Sequence, residues 1–118
     1  MITGVARWIK DHSPKTHIVG VCARGAPCMA LSWQAGKPVS TERSDTIAEG
    51  IEVRIPVAES VMRLNALVDD MVLVDDSDLM EGMRLAAQTL GLLLEPAGAA
   101  GREPFEVAIC RENGLRRS

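Results

Sequence analysis

The chain has 118 residues, 47% of them hydrophobic, 25% charged and 3% aromatic, with a formal net charge of −3; this suits one small packed domain, residues 1–118, built on aliphatic side chains and methionine, and excludes wholesale disorder. The charge balance argues against nucleic acid as a partner, since phosphate binding calls for clustered Lys and Arg, and Arg111, Arg116 and Arg117 read as a solvated basic end. No apolar run is long enough to span a membrane, Arg7, Lys10 and Asp11 interrupt any signal-peptide core, and Cys22, Cys28 and Cys110 cannot all pair within one chain, so a reducing cytoplasmic setting is expected.

Ile2, Val5, Ala6 and Ile9 fall at helical spacing, and Asp11-His12-Ser13-Pro14 stops that helix. Ile18-Val19-Gly20-Val21, within residues 17–22, reads as a buried strand. Gly25 supplies a turn, Pro27 suits a first helical position, and Met29 to Trp33 continue that helix until Gly36. Residues 37–48 are polar and read as a loop long enough to suggest a functional segment. Gly50 to Ile55 alternates weakly and is expected to be extended. Pro56, Val57, Val61, Leu64 and Val68 follow helical spacing.

Met71 to Val74 is another apolar strand, and Asp75 or Asp76 caps the helix after it. Leu79, Met80, Met83, Ala87 and Leu90 lie along that helix, which Gly91 closes. Leu92-Leu93-Leu94 is expected to be a further short strand or buried turn. Pro96 to Gly101 is too glycine-rich for a robust helix. Phe105 to Cys110 is the last expected strand. Strands alternating with helices predict an α/β fold: a small, mostly parallel sheet of three to four strands flanked by helices. There are no internal repeats and no linker that would divide the chain.

Four stretches, in order, carry a family resemblance. They are Ile18-Val19-Gly20-Val21-Cys22-Ala23-Arg24-Gly25-Ala26-Pro27, Asp45-Thr46-Ile47-Ala48-Glu49-Gly50-Ile51, Val68-Asp69-Asp70-Met71-Val72-Leu73-Val74 and Leu94-Glu95-Pro96-Ala97-Gly98-Ala99-Ala100. Together they resemble the rear half of the large domain of the serine/threonine dehydratases. That family has the tryptophan-synthase-β-like fold and uses pyridoxal phosphate to remove water and then ammonia from serine or threonine. The resemblance implies a lysine for the Schiff base, glycine-rich backbone amides for the phosphate and a polar group beside the pyridine nitrogen. It places Cys110 beside that nitrogen, Glu95 near the cofactor end of the pocket, and Asn113 in the segment that follows.

The chain departs from the pattern. Lys10, Lys15 and Lys37 are its only lysines, and none lies in a Schiff-base motif. The phosphate-cradling glycine loop is not among these residues. Arg111 and Glu112 stand where the family has glycines, and Arg102-Glu103-Pro104 leads to the last strand as though a helix were deleted. Cys22 and Cys28, with Ala26 between them, replace the carboxylates by which some relatives hold a cation, so that site is not carried over.

The bland reading of each candidate stands beside the sharp one. Cys110 is otherwise a small buried hydrophobe and Glu95 a helix-start carboxylate. Cys22 and Cys28 with His12 and His17 do not have zinc spacing. His17 has no nucleophile motif to serve as its base. Asp69, Asp70, Asp75, Asp76 and Asp78 read as caps and solvated charges. Ser13 to Thr16 and Gly98 to Gly101 lack a phosphate-loop pattern.

The expectation is a dehydratase-like fragment with no catalytic or metal residues of its own, no lyase activity alone and no cofactor alone, self-associating as a dimer through surface left uncovered. The alternatives are a small-molecule binding or regulatory module, or one half of a split ammonia-lyase that gains pyridoxal phosphate from a complementing, lysine-bearing chain.

Overall fold

The computed structural model describes residues 1–101. The strand expected at 105–110, with Cys110 and Asn113, lies outside the described residues. The remainder runs α1 (Ile2–His12), β1 (Val19–Ala23), α2 (Cys28–Ala35), a 3₁₀ turn (Glu49–Ile51), α3 (Ala58–Leu67), β2 (Asp70–Val74), α4 (Asp76–Leu90) and α5 (Pro96–Ala99).

β1 and β2 pair in parallel, with Val19 opposite Asp70 and Ala23 opposite Val74. The period-two alternation of a strand sends neighbouring side chains to opposite faces. On one face Cys22 and Met71 join Ala6, Ile18, Ala30, Trp33, Leu64 and Val68, with Leu73 packed against them. On the other, Val72 and Val74 join Ala48, Leu79 and Ala100, with Val19, Val21, Ile51 and Ala97 at the margin. Helices α1, α2 and α3 therefore cover the first face. The 45–51 loop, α4 and α5 cover the second. Gly20 admits this packing because a Cβ there would collide with Met71 and crowd Ile2.

Each helix ends where the sequence stops supporting it. In α1, Ser13 N–H closes on Ile9 O at 2.6 Å before Pro14. Helices α2 and α4 end on Gly36 and Gly91, whose φ values of 70° and 66° suit a residue without a Cβ. Trp33 is buried, and its indole N–H donates to Val68 O at 3.2 Å. That bond ties α2 to the entry of β2 and satisfies a polar group that burial would otherwise penalise.

The α/β architecture with a parallel sheet flanked by helices is as expected; two local readings change. Residues 92–94 form no strand: Leu92 N–H is engaged by Ala86 O at 3.3 Å as α4 winds down, and Leu93 is 94% exposed. With β1 and β2, the sheet has two strands among the described residues. Of residues 50–55, Gly50 and Ile51 are not extended, because Ile51 N–H turns back to Ala48 O at 3.0 Å and makes the 3₁₀ turn, while Glu52 is extended and residues 52–55 join no strand. The Pro96–Ala99 stretch manages a single helical turn.

The amino edge of the sheet is clasped by one carboxylate. Asp69 Oδ2 accepts from Lys10 Nζ at 2.6 Å and from Ile18 N–H at 2.7 Å, and Lys10 Nζ also donates to Thr16 O at 2.8 Å. Burial opposes the Asp69 charge, but the bonds from Lys10 and Ile18 and the charges of Lys10 and His17 outweigh it and hold its pKa below the ordinary carboxylate value. A carboxyl depressed in the folded state stabilises the fold above its unfolded pKa, about 3.9, and that contribution is lost as pH falls through the folded value. Urea midpoints followed by circular dichroism should therefore drop on acidification below about pH 4, and Asp69→Asn should flatten that part of the profile while lowering the midpoint at neutral pH.

Candidate functional site

In open α/β sheets ligands lie beyond the carboxyl ends of the strands. Here that edge follows Ala23 and Val74. Arg24 N–H extends the pairing by donating to Val74 O at 2.8 Å, and Ala26 N–H returns to Ala23 O at 3.0 Å, closing the turn. Arg24 Nε donates to Asp75 Oδ1 at 2.7 Å, across the two strand ends, with both side chains about half exposed.

The polar loop folds back onto this edge. Asp45 N–H donates to Gly25 O at 2.9 Å. A Cβ at Gly25 would overlap the Asp45 carbonyl oxygen, so close backbone approach explains the glycine there. Asp76, the first residue of α4, reaches into the loop: Oδ1 accepts from Thr46 Oγ1 at 2.6 Å and Oδ2 from Ile47 N–H at 3.0 Å. Thr46 Oγ1 in turn accepts Ala48 N–H at 3.2 Å. The cap of α4 is separate, with Asp75 at the N-cap position and Asp78 Oδ2 accepting Asp75 N–H at 2.9 Å.

Beyond Ala48 the 3₁₀ turn meets α5. A Cβ at Gly50 would stand 2.9 Å from Ala97 Cβ and 3.6 Å from Glu95 Oε1. Glu95 caps α5, its carbonyl accepting Gly98 N–H at 3.0 Å and Ala99 N–H at 3.2 Å, and its carboxylate is exposed beside Gly50. Glu95 thus stands beside Gly50 and is the helix-start residue of the plainer reading. Cys110 and Asn113, the other two candidates, lie outside the described residues.

The lysines are elsewhere. Lys10 is held in the Asp69 clasp at the amino edge. Lys15 precedes β1 and is exposed. Lys37 is exposed and follows α2, which leaves the carboxyl edge and runs back toward the other end. The cysteines are packing groups: Cys22 and Cys28 are buried and unpaired. Burial, against a backbone hydrogen bond from Ala30 and with Cys28 adding to it, pushes the Cys22 thiol up to about 11. Burial raises Cys28 as well. Both are neutral thiols at pH 7, unsuited to nucleophilic attack or metal binding. Among the described residues no three His, Cys, Asp or Glu side chains gather as a metal site.

A groove of about 260 Å³ runs between α4 and α5, walled by Leu85, Ala86, Leu90, Leu94 and Ala99 among others. Its one hydroxyl, Thr89 Oγ1, donates to Leu85 O at 2.7 Å. It has no titratable lining group and offers packing surface only.

Sequence reasoning missed Asp76 and Asp69. Both sit in an acidic cluster that reads as caps and solvated charge, and their donors are 30 and 51 residues away. The polar, overlong loop was the available signal for Asp76.

The family described as pyridoxal-phosphate dependent enzyme matches residues 1–112. A biosynthetic L-threonine dehydratase of Lactococcus lactis is 32% identical over 107 residues, which is 91% of this chain and 26% of that protein. A serine racemase of Oryza sativa subsp. indica is 33% identical over 102 residues, 86% of this chain and 30% of that protein. Among solved structures, a threonine deaminase from T.th. superposes with a TM-score of 0.87 at 26% identity, covering 95% of this chain and 41% of that one. The chain thus spans under a third of the length of these curated relatives.

The close approach at Gly25 gives a direct check of the edge. Gly25→Ala should force the Asp45 backbone away, lower stability by about 1–3 kcal/mol in urea titrations and open residues 37–48 to limited proteolysis; unchanged stability and cleavage would contradict the packing described.

Proposed function

Because the chain belongs to the pyridoxal-phosphate-dependent enzymes and resembles their threonine/serine dehydratases over nearly its whole length, we propose that it is the sheet-and-loop part of a dehydratase-like domain, without lyase activity by itself, and that it self-associates. One observation carries the first half of this reading. Aldehyde-cofactor chemistry needs an amine with a depressed pKa in a desolvated pocket at the reacting edge. The three lysines stand instead in an ion pair at the amino edge or in solvent. The described residues therefore do not fit the coenzyme on their own, and no chemical step is assigned to them.

Self-association is supported by exposed apolar surface. Met1, at the N-cap of α1, and Val5 and Trp8 on the helix follow one another at four- and three-residue steps and are 105%, 53% and 64% exposed, a solvent-facing stripe flanking the Ile2, Ala6 and Ile9 face. Among the described residues β1 and β2 each have one strand partner, the other. A two-fold dimer is the simplest arrangement that covers such surface.

A second reading is a small-molecule binding or regulatory module, or one half of a split ammonia-lyase that receives pyridoxal phosphate with a lysine-bearing chain. The ordered carboxyl edge favours it: Gly25, Asp45, Thr46 and Asp76 hold a shaped rim with Glu95 beside it. A cytoplasmic setting remains part of both readings.

Two measurements test the proposal. The purified chain with pyridoxal phosphate and serine or threonine should give no 2-oxo acid; sustained cofactor-dependent turnover would overturn the inactive reading. A coenzyme absorbance that survives dialysis without turnover would favour the binding module. In sedimentation equilibrium the chain should run as a dimer and Trp8→Glu should shift it toward monomer; a folded wild-type monomer would refute self-association.

A further inference from the structure

We propose that Asp76 is the positioning residue of the carboxyl edge: it orders the 45–51 loop with both carboxylate oxygens and, through Gly50, fixes where the Glu95 carboxylate stands. The significance of that edge rests on the reading above; the coupling itself rests on geometry.

Asp76 begins α4, yet the helix does not need its side chain. Asp75 is the N-cap residue, and Asp78 accepts the Asp75 N–H. Both Asp76 oxygens are turned to the loop, at 2.6 Å from Thr46 Oγ1 and 3.0 Å from Ile47 N. Hydrogen bonds to an ionised acceptor are roughly twice as strong as neutral ones. Because Thr46 Oγ1 also receives Ala48 N–H, one side chain on α4 orders three consecutive loop residues.

The order then passes forward by contact. Ala48 is fully buried against the second face of the sheet with Val72, Val74 and Leu79. Its carbonyl starts the 3₁₀ turn by accepting Ile51 N–H at 3.0 Å. That turn presents Gly50 to α5 so closely that a methyl group there would stand 2.9 Å from Ala97 Cβ. Ala97 lies in the helical turn that Glu95 caps, so a displaced Gly50 removes the contact that seats this turn and its Glu95 carboxylate. Asp45 N–H anchors the start of the loop to Gly25 O at 2.9 Å, but neither it nor the remaining bonds, Ser44 to Glu52, Arg54 Nη1 to Glu42 O and Thr41 N–H to Arg54 O, reach residues 46–48.

The experiment is hydrogen exchange on the 118-residue chain, which requires no coenzyme. Its failure would leave the proposed function standing, and an active chain would leave the coupling standing. Asp76→Ala keeps a good helix former at the start of α4. It should speed exchange about tenfold at residues 46–51 and at Gly98 and Ala99, with the β1 and β2 amides unchanged. Asp76→Glu should restore most of the protection, which a mere change in global stability would not do. Thr46→Val, which removes the bond to Asp76 and the acceptor of Ala48 N–H but leaves Ile47 N–H on Asp76, should also raise exchange in the same two segments and serves if Asp76→Ala unfolds. A faster loop with Gly98 and Ala99 unchanged would overturn the coupling to Glu95. Unchanged exchange in both segments would overturn the latch altogether.

Discussion

The parallel pairing of β1 with β2 is the constraint on which the molecule depends. Five residues of each strand send alternate side chains to two opposed faces, and both faces must be covered at once. A one-residue slip would exchange those faces, placing Met71 where Val72 packs and Cys22 where Val21 sits. Nothing with a polar head can replace these side chains without leaving an unsatisfied group between sheet and helix. Trp33, whose ring nitrogen reaches back to Val68 O, and Ser32, whose hydroxyl donates to Cys28 O, are buried polar groups that have found acceptors.

The two ends of this sheet are held by different means. At the amino end a single carboxylate gathers a lysine and a strand amide, so three segments distant in sequence meet at one charge. At the carboxyl end a second aspartate acts on a loop through a hydroxyl and an amide. A lysine serves the amino end, while the carboxyl end is built from backbone, hydroxyl, carboxylate and the Arg24 guanidinium. The fold is shared with pyridoxal-phosphate-dependent enzymes, and Lys10, Lys15 and Lys37 stand away from that carboxyl end.

The periodic parts of the fold were legible because burial imposes a spacing. The apolar steps of α1, α3 and α4, the β-branched run of β1 and the glycines at 36 and 91 all report local geometry directly. Leu92 to Leu94 misled because three apolar residues state hydrophobicity without stating period, and the carbonyls of the last turn of α4 engaged the amide that a strand would have needed. Gly50 and Ile51 misled because a weak alternation competes poorly with a turn closed three residues back. At the site, Glu95 was legible only through a motif. Asp76 was hidden among five aspartates whose roles differ by where the chain returns, and no local pattern records that.

Trp8 and Trp33 occupy opposite environments, one 64% open to solvent and the other 1%. The ring of Trp8 lies over His12, with centroids 4.3 Å apart, while Trp33 is packed in the aliphatic core with its N–H on a carbonyl. The protein therefore contains two chromophores of unlike emission: a blue one sealed in the interior that reports loss of the fold, and a red one on the outer helix beside an imidazole that reports whatever comes to lie against it.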